Sequence, residues 1–490
     1  MTVTILILVG YFVLMLAIGW IASRRIRDSR DYFLGGKGFG PWLTAFKFAS
    51  TWESGVKLVG APGMAWNVGW AGFSMGIATP ICYFFSFRVF GQRLKVAFDH
   101  FNVLTLPQLL EKRYQSRTVR ILAAAAIVIG LGGSLVAQFK ATGEIFSVTL
   151  ETSYLNGLFL GAGIVGVYCI LGGYLASVWT DCLQGVLMII GSIVIMVATA
   201  TVAFGGLHWN FIPELNLSLA AIDPNLLDIT GGGKIPVTQI VIIVVITGLV
   251  GLALPQQSVA IFSMRDVRTA RTALVICTFF SAILAWTLVP TGMMARLVLD
   301  PATIPNPDAV IPLLIQKVLS PVTGGLFIAA ILSAIMSTVS GSIVVAAATL
   351  SEDIFKLIIP ERYEKHPVLY NRAGASFFVL VSMLLAIEPP TIIFWIGVFA
   401  FGFLVFTFLM PMIGVILLPH TPARAVIVQM VITMIVIPFW TIVGQKATGI
   451  PALLVGLVIS PLSFFAVYWL TREKPLREDM ARLWKKFARL

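Results

Sequence analysis

Charged side chains are scarce in this sequence, and so are the residues on which most catalytic and metal centres depend. Only 11% of the 490 residues are charged, whereas 58% are hydrophobic. This composition excludes an ordinary soluble domain and is typical of a polytopic membrane protein. The four histidines are scattered over predicted loops and helix ends, and the four cysteines lie in or beside apolar segments without metal-type spacing. No His- or Cys-based catalytic constellation is therefore predicted, and an enzyme is not expected.

The basic residues indicate a lipid bilayer as partner and give no reason to expect nucleic acid. The net charge is +12, but lysine and arginine fall in short runs between apolar segments, as the positive-inside rule describes. With roughly twenty apolar residues per crossing, the sequence predicts an all-α integral membrane protein of about thirteen transmembrane helices. These spans lie near residues 3–23, 41–66, 69–91, 118–147, 154–174, 178–204, 236–263, 270–295, 309–349, 373–388, 390–418, 424–444 and 449–471.

The positions of these basic residues also orient the chain. Basic clusters at residues 24–37, 265–271 and 356–372 fall in loops that the count places in the cytoplasm, whereas the long outer loop 205–235 holds a single lysine. This asymmetry predicts a multi-pass protein of the inner cell membrane with its N-terminus outside and its C-terminus in the cytoplasm. The basic tail 472–490 is interpreted either as an amphipathic helix on the inner leaflet or as a solvated tail.

Two predicted spans contain residues that a helix in hydrocarbon would not tolerate. Residues 46–63 combine three charged side chains with glycines and a proline, and residues 248–258 contain Pro255 followed by two glutamines. Charged groups and irregular backbone persist at bilayer depth mainly where they meet a partner or line a polar cavity. We interpret both segments as broken helices at the midplane that build a binding site, with a simple proline kink as the alternative for Pro255.

The two interrupted spans occupy matching places in halves of opposite orientation. This arrangement is the best sequence indication of an inverted-repeat transporter. Spans two to six and seven to eleven are therefore predicted to form a five-plus-five inverted repeat. The predicted division is a first helix with a basic loop (1–40), a first repeat (41–204), an extracellular loop (205–235), a second repeat (236–418), two peripheral spans (419–471) and the tail (472–490).

A third polar feature lies in the ninth span, where Ser337 and Thr338 are adjacent and Ala334 lies about one turn earlier. Hydroxyl oxygens beside main-chain carbonyls suit a hard, weakly charged cation such as Na⁺, which takes oxygen ligands. The alternative is that these hydroxyls pack between membrane helices or bond to a preceding carbonyl.

Several motifs together resemble the sodium:solute symporter family, which includes bacterial proline, pantothenate, sialic-acid and sugar symporters. Residues 172–184 match its GG-x-x-A-x-x-x-TD-x-x-Q pattern, and residues 30–36 resemble its first cytoplasmic loop. Residues 60–63 resemble the small-Pro-Gly run after its broken helix, and residues 336–338 and 351–356 are similar to its ion-site helix and the acidic end of that helix. The resemblance covers most of the chain and implies Na⁺-coupled uptake of a small organic solute, with pantothenate- and proline-type members most similar.

The resemblance also implies a ligand set for Na⁺. Alignment through Gly60 places the carbonyls of the broken helix at Ser50 and Glu53. The ninth span would supply the carbonyl of Ala334 and the hydroxyls of Ser337 and Thr338.

The resemblance places a further acidic residue, Asp181, close to the exit path of the ion, although a helix-terminal carboxylate at the cytoplasmic interface is the alternative. The sequence departs from the family elsewhere. Trp52 stands where several members carry Asn or Asp, and Ala260 lies near the position of an arginine in proline and pantothenate types. Lys57 falls where sugar-transporting members place a polar contact, so it is interpreted as a ligand for a substrate carboxylate or as a substitute for a cation.

The spacing of the charged residues allows a third role for Lys57. Glu53 and Lys57 are one turn apart, as are Lys140 and Glu144, so each couple is also interpretable as an internally neutralised pair. The predicted substrate contacts are Ser54, Lys57, Gln138, Gln256 and Gln257.

The function expected from these features is secondary active transport, in which Na⁺ drives a carboxylate or amino-acid-like solute into the cytoplasm by alternating access. Two alternatives stay open: a Na⁺-independent or proton-coupled transporter with Lys57 as its resident cation, and a membrane sensor that binds solute and signals. The sequence names neither the solute nor an oligomeric state.

Overall fold

The computed structural model describes residues 2–149, 151–304, 306–388, 393–471 and 475–490. These residues are organised in helices, and the described parts contain no β-strand. The one recorded bridge is an isolated parallel contact between Phe39 and Met264. The expected all-α class is therefore confirmed.

The α-helices vary from three residues to 51 residues in length. In chain order they are α1 (Thr2–Ser23), α2 (Ser29–Leu34), α3 (Pro41–Trp52), α4 (Ala61–Val68), α5 (Ser74–Tyr83), α6 (Gln92–Phe101), α7 (Leu106–Tyr114), α8 (Arg117–Thr149), α9 (Tyr154–Phe204), α10 (Phe211–Ile222), α11 (Val237–Ala253), α12 (Pro255–Ser263), α13 (Val267–Val298), α14 (Val310–Val318), α15 (Pro321–Ala348), α16 (Lys356–Ile358), α17 (Pro360–Lys365), α18 (Pro367–Leu385), α19 (Ile393–Ile416), α20 (Ala423–Phe439), α21 (Gln445–Thr448), α22 (Ala452–Thr471) and α23 (Glu478–Phe487). Wider π-helical turns cover Val56–Gly60, Phe84–Gly91, Thr349–Phe355 and Trp440–Gly444, and tighter 3₁₀ turns cover Gly69–Phe73, Pro224–Leu227, Pro301–Thr303 and Pro307–Ala309.

Eight of the described helices are long and apolar enough to cross a membrane, or nine if the bent pair Lys57–Phe73 and Gly76–Phe101 is taken as one span. The chain is thus a multi-pass membrane protein, whereas the count of thirteen stays a prediction. Part of the difference comes from α9, which merges two predicted spans. Its 51 residues would extend about 77 Å, far more than the ~30 Å of a bilayer core. Inside α9, Gly173 has non-helical φ and ψ of 50° and −141°, and this is where the two predicted spans separate.

Both interrupted spans are broken where the sequence predicts it. Helix α3 ends at Trp52, and Glu53 leaves the helical conformation with φ and ψ of −79° and 70°. Leu254, between α11 and α12, is extended, with φ and ψ of −85° and 118°. The ring of Pro255 disfavours the helical conformation for the residue before it, which explains the second break.

Helix α15 lies at the centre of the molecule. The apolar window that marks it as a membrane span is buried throughout, and α15 packs against α1, α3, α8, α9, α12 and α18. Small residues line it, including Gly324, Gly325 and a run of alanines near its end. Small side chains let membrane helices approach one another closely, which allows one helix to have so many neighbours.

The basic tail forms the short helix α23, whose apolar side chains Met480, Leu483 and Phe487 are buried. It packs on α6, and the guanidinium of Arg93 lies 6.0 Å from the ring of Trp484. The tail is therefore helical, as one interpretation expected, but its apolar face is covered by the protein.

Candidate functional site

The break after α3 releases main-chain oxygens from their usual helical partners. In a continued helix the amide of Ser54 would donate to the carbonyl of Ser50, four residues earlier. Here it donates to the carbonyl of Trp52 at 2.9 Å instead. Carbonyls at a helix end need other partners. The described partners of the Ser50 and Thr51 carbonyls are side chains of α15.

Two adjacent hydroxyls of α15 meet these carbonyls. Ser337 Oγ donates to the carbonyl of Ser50 at 2.8 Å and to that of Ala334 at 3.1 Å. Thr338 Oγ1 donates to the carbonyl of Thr51 at 3.1 Å and to that of Ala334 at 3.2 Å. We call these five oxygens the oxygen cluster. All five residues are buried, so the cluster is a polar point inside an apolar bundle.

The oxygen cluster has the chemistry of a monovalent cation site. The atoms that could bind an ion are neutral carbonyl and hydroxyl oxygens, the ligand type that hard cations prefer. Four of the five predicted Na⁺ ligands, Ser50, Ala334, Ser337 and Thr338, meet here. The Thr51 carbonyl, which the sequence reasoning missed, contacts Thr338. The predicted Glu53 carbonyl makes none of the cluster's described hydrogen bonds, and its role stays a prediction.

The side chain of Glu53 belongs to a second cluster of polar side chains, which lies beside the break. Its carboxylate lies 2.6 Å from Lys57 Nζ and accepts a hydrogen bond of 3.1 Å from the hydroxyl of Tyr83. Lys57 Nζ also donates to Thr79 at 3.0 Å and to Ser281 at 3.4 Å. Lys57 and Glu53 thus form the internal pair that their spacing allows, and the lysine side chain keeps 10% exposure.

Four of the five predicted solute contacts follow the two breaks closely in the chain, and the fifth lies in α8. Gln256 and Gln257 lie in the first turn of α12, which packs against α3. Both are buried, and in the described structure neither side-chain oxygen has a hydrogen-bond partner. Gln138 is buried in α8, and Ser54 is partly buried. Within the described residues, no hydrogen bond joins any two of the predicted solute side chains Ser54, Lys57, Gln138, Gln256 and Gln257.

A second lysine–carboxylate pair joins α3 to α9. Lys47 Nζ lies 2.6 Å from Asp181 Oδ2, and both side chains are buried. Asp181 is therefore an interior residue, which contradicts the alternative of a helix-terminal carboxylate at the interface. The sequence reasoning noted both charges without pairing them. One signal was present, because neither residue has an oppositely charged neighbour three or four positions away on its own helix.

A third network of polar side chains lies at the C-terminal end of α15. Asp353 accepts hydrogen bonds from Arg120 Nε at 2.9 Å and Thr105 Oγ1 at 3.1 Å. The hydroxyl of Tyr363 donates to Glu352 at 2.7 Å. Burial and the neighbouring Glu352 carboxylate raise the pKa of Tyr363 well above its usual range. The predicted acidic end of this helix is thus tied to the start of α7, to α8 and to α17.

The arrangement of broken helices around buried oxygen ligands is that of a multi-pass membrane transporter, and known structures share the fold. The chain aligns with the substrate-bound outward-open state of a Na⁺-coupled sialic acid symporter with a TM-score of 0.80, at 18% identity, over 95% of this chain and 96% of that one. It aligns less closely with Mhp1, a nucleobase-cation-symport-1 family transporter, with a TM-score of 0.52 at 13% identity and coverage of 92% and 97%.

The chain belongs to the sodium:solute symporter family, which matches residues 32–433. It is similar to the sodium/pantothenate symporter of Escherichia coli strain K12, with 28% identity over 94% of this chain and 95% of that protein. It is also similar to the osmoregulated proline transporter OpuE of Bacillus subtilis strain 168, with 25% identity over 96% of each chain. Family membership confirms the expected transporter class over an enzyme.

Proposed function

We propose that this protein is a Na⁺-coupled symporter that carries a small carboxylate or amino-acid-like solute into the cytoplasm by alternating access. The observation that carries the proposal is the oxygen cluster, in which hydroxyls of α15 meet carbonyls freed by the break after α3. The family name and the relatives named for sodium support the same ion.

The position of the oxygen cluster explains how Na⁺ would bias the transport cycle. Its ligands come from two helices that are distant in the chain, since Ser50 and Ser337 are 287 positions apart. An ion bound there holds the end of α3 against α15. A ligand shifts a conformational equilibrium only by binding one state more tightly than another. We therefore assign Na⁺ the role of stabilising the outward-open state, in which solute binds next to it.

For the solute we propose a site formed by Ser54, Lys57, Gln138, Gln256 and Gln257. The unpartnered buried oxygens of Gln256 and Gln257 support it, because buried polar atoms normally find a partner. Relatives are named for pantothenate and proline, both of which carry a carboxylate. Lys57 is the cationic member of the proposed set.

We further propose thirteen spans in two inverted repeats, residues 41–204 and 236–418, with the N-terminus outside and the C-terminus in the cytoplasm. The matching breaks at Glu53 and Leu254 support the repeat. Asp181, on the cytoplasmic side of the oxygen cluster in this orientation, would border the exit path of the ion.

The alternative with Lys57 as a resident cation is less well supported. The described partners of Lys57 Nζ are Glu53, Thr79 and Ser281, none of which supplies an atom to the oxygen cluster. The proposed Na⁺ site and Lys57 therefore belong to separate clusters of polar atoms.

The test of the proposed function removes the two hydroxyls of the oxygen cluster. We expect Ser337→Ala with Thr338→Ala to weaken Na⁺ affinity more than tenfold, because the ion loses two oxygen ligands while the helix stays nearly isosteric. The measurement is thermal unfolding of the purified protein against NaCl at constant ionic strength, since a bound ligand raises apparent stability. Ser342→Ala, one turn later on α15, is the control. It also removes a buried hydroxyl, but that hydroxyl lies outside the oxygen cluster and bonds to the main-chain carbonyl of Thr338. A wild type that responds equally to NaCl and KCl would disprove Na⁺ coupling.

A further inference from the structure

The Lys47–Asp181 pair lies beside the oxygen cluster and has no part in the proposed solute site. Lys47 is four residues before Thr51 on α3, and the Thr51 carbonyl belongs to the oxygen cluster. On α15, Ser340 follows Ser337 by three residues, and its hydroxyl donates to the Ser337 carbonyl at 3.0 Å. Three residues of α-helix rise about 4.5 Å. On both α3 and α15, the residues that surround the Lys47–Asp181 pair are thus about one helical turn from the proposed Na⁺ ligands.

Lys47 Nζ is held almost entirely by oxygen atoms. It donates to Asp181 Oδ2 at 2.6 Å and to Ser177 Oγ at 2.7 Å. Asp181 in turn accepts from Ser340 Oγ at 3.1 Å and from Thr51 Oγ1 at 3.3 Å. Ser177 Oγ and Ser340 Oγ are 2.7 Å apart. We call the carboxylate and these three hydroxyls the Asp181 cage.

The Asp181 cage contains the ligands of a cation site in its own right. One carboxylate with three hydroxyls is a hard-oxygen donor set that balances a single positive charge. The distances from Lys47 Nζ to Asp181 Oδ2 and Ser177 Oγ are those of short charge-assisted hydrogen bonds, so the ammonium occupies the place that a bound cation would take beside these oxygens. The cage draws on α3, α9 and α15, so its oxygens converge on one point from three helices.

We infer that the Asp181 cage is a second monovalent-cation position and that Lys47 fills it with its own ammonium. In a free-ion transporter this position would take Na⁺ or Li⁺; here the tethered ammonium neutralises Asp181 permanently and excludes a second ion. The inference rests on the proposed function, because it assigns one exchangeable Na⁺ to the oxygen cluster and none to the cage. Two cation positions then lie on neighbouring turns of α15. The first takes an ion from solution, and the second holds the ammonium of Lys47.

Burial is the reason that the cage needs a cation. Asp181 is fully enclosed, and a carboxylate in such a place is stable only when a positive charge or sufficient hydrogen bonds compensate it. When Lys47 loses its charge, the hydroxyls of Thr51, Ser177 and Ser340 remain around Asp181. An alkali cation of suitable size can then replace the ammonium, whereas a purely structural pair would show equal damage in every salt.

The experiment replaces the ammonium and counts the ions bound. Purified full-length protein with Lys47→Met is dialysed against radioactive Na⁺, and its thermal unfolding is followed in NaCl, LiCl, KCl and choline chloride at constant ionic strength. We expect two Na⁺ per chain where the wild type binds one, a stability recovered in Na⁺ or Li⁺ but not in choline, and Na⁺ dependence that changes from first to second order. Lys47→Gln serves as a second variant that keeps a polar side chain.

Two further variants make the result specific to the cage. Lys47→Met with Asp181→Asn removes both charges and should lose the additional Na⁺. Lys140→Met makes the same substitution at a lysine that is partly exposed and 3.9 Å from Glu144, and it should leave the ion count unchanged. If Lys47→Met and Lys47→Gln bind no additional Na⁺ and lose equal stability or folding yield in all four salts, the inference is wrong.

The failure of the proposed function gives a different pattern. If the oxygen cluster does not bind Na⁺, the wild type binds no ion, yet Lys47→Met still gains one that Asp181→Asn abolishes. If only the cage inference fails, the wild type binds one Na⁺ and Lys47→Met binds no more.

Discussion

The two buried lysine–carboxylate pairs on either side of the oxygen cluster are built differently. Glu53 and Lys57 are four residues apart on one segment, with 2.6 Å between their charged atoms, and Lys57 keeps some exposure. The charged atoms of Lys47 and Asp181 are also 2.6 Å apart, but the two residues are 134 positions apart in the chain and neither is exposed. The first pair belongs to a single broken segment, whereas the second joins α3 to α9.

This difference indicates how each pair behaves when helices move. A pair on one segment moves with that segment, so it can stay intact in both states of the proposed transport cycle, and its lysine keeps 10% exposure. A pair between two helices either holds them together or must be broken, and breaking it leaves two buried charges. The variants below separate these behaviours.

The largest effect is expected at Asp181. Asp181→Asn leaves the Lys47 ammonium buried without a carboxylate, which should cost about 3–5 kcal/mol of stability. Thermal or denaturant unfolding of the purified protein in choline chloride checks this value. Ser192→Ala is the matched control on α9, because the described hydrogen bond of its buried hydroxyl stays within its own helix, at the carbonyl of Ile189. A loss at Asp181 no larger than at Ser192 would mean that the long-range pair contributes little.

An intermediate effect is expected at Lys57, and it concerns solute binding. If its ammonium binds the solute carboxylate, Lys57→Gln should weaken solute affinity by about 1.5–3 kcal/mol, as is typical of a hydrogen bond to a charged group. Na⁺ dependence should persist. Binding of candidate solutes, measured by calorimetry or by thermal shift at saturating Na⁺, gives the value.

The double variant decides whether Lys57 only neutralises Glu53. In that case Glu53→Gln combined with Lys57→Gln should recover most of the lost affinity, because no buried charge is left unpaired. If the double variant stays as weak as Lys57→Gln alone, the ammonium itself contacts the solute. Unchanged affinity in the single variant would remove the reason to expect an anionic solute.

The smallest effect is expected at the third pair, Lys140 and Glu144, which shares the local spacing of Glu53 and Lys57. Its charged atoms are 3.9 Å apart, and the Glu144 side chain is 53% exposed. Lys140→Gln should therefore change stability by less than ~0.5 kcal/mol. Unfolding at low and high salt measures it. A larger loss would show that local spacing alone, without burial, makes such a pair important.

The sequence by itself determined the features that depend on neighbours in the chain. A proline restricts the residue before it, so the break at Leu254 follows from Pro255. Spacing of one helical turn brought Glu53 to Lys57. The same local logic marked Ser337 and Thr338 as adjacent hydroxyls, and the motif residues placed the chain in its family.

The tertiary structure alone decided which distant groups meet. Membrane helices are apolar on all sides, so hydrophobic periodicity does not reveal which face is buried or which helix is central. The sequence therefore did not indicate that α15 is enclosed throughout or that Thr338 meets the Thr51 carbonyl. Lys47 and Asp181 each required a buried partner, but a charge does not specify its partner. Only the packing of α3 against α9 and α15 brought that ammonium into a cage of oxygens.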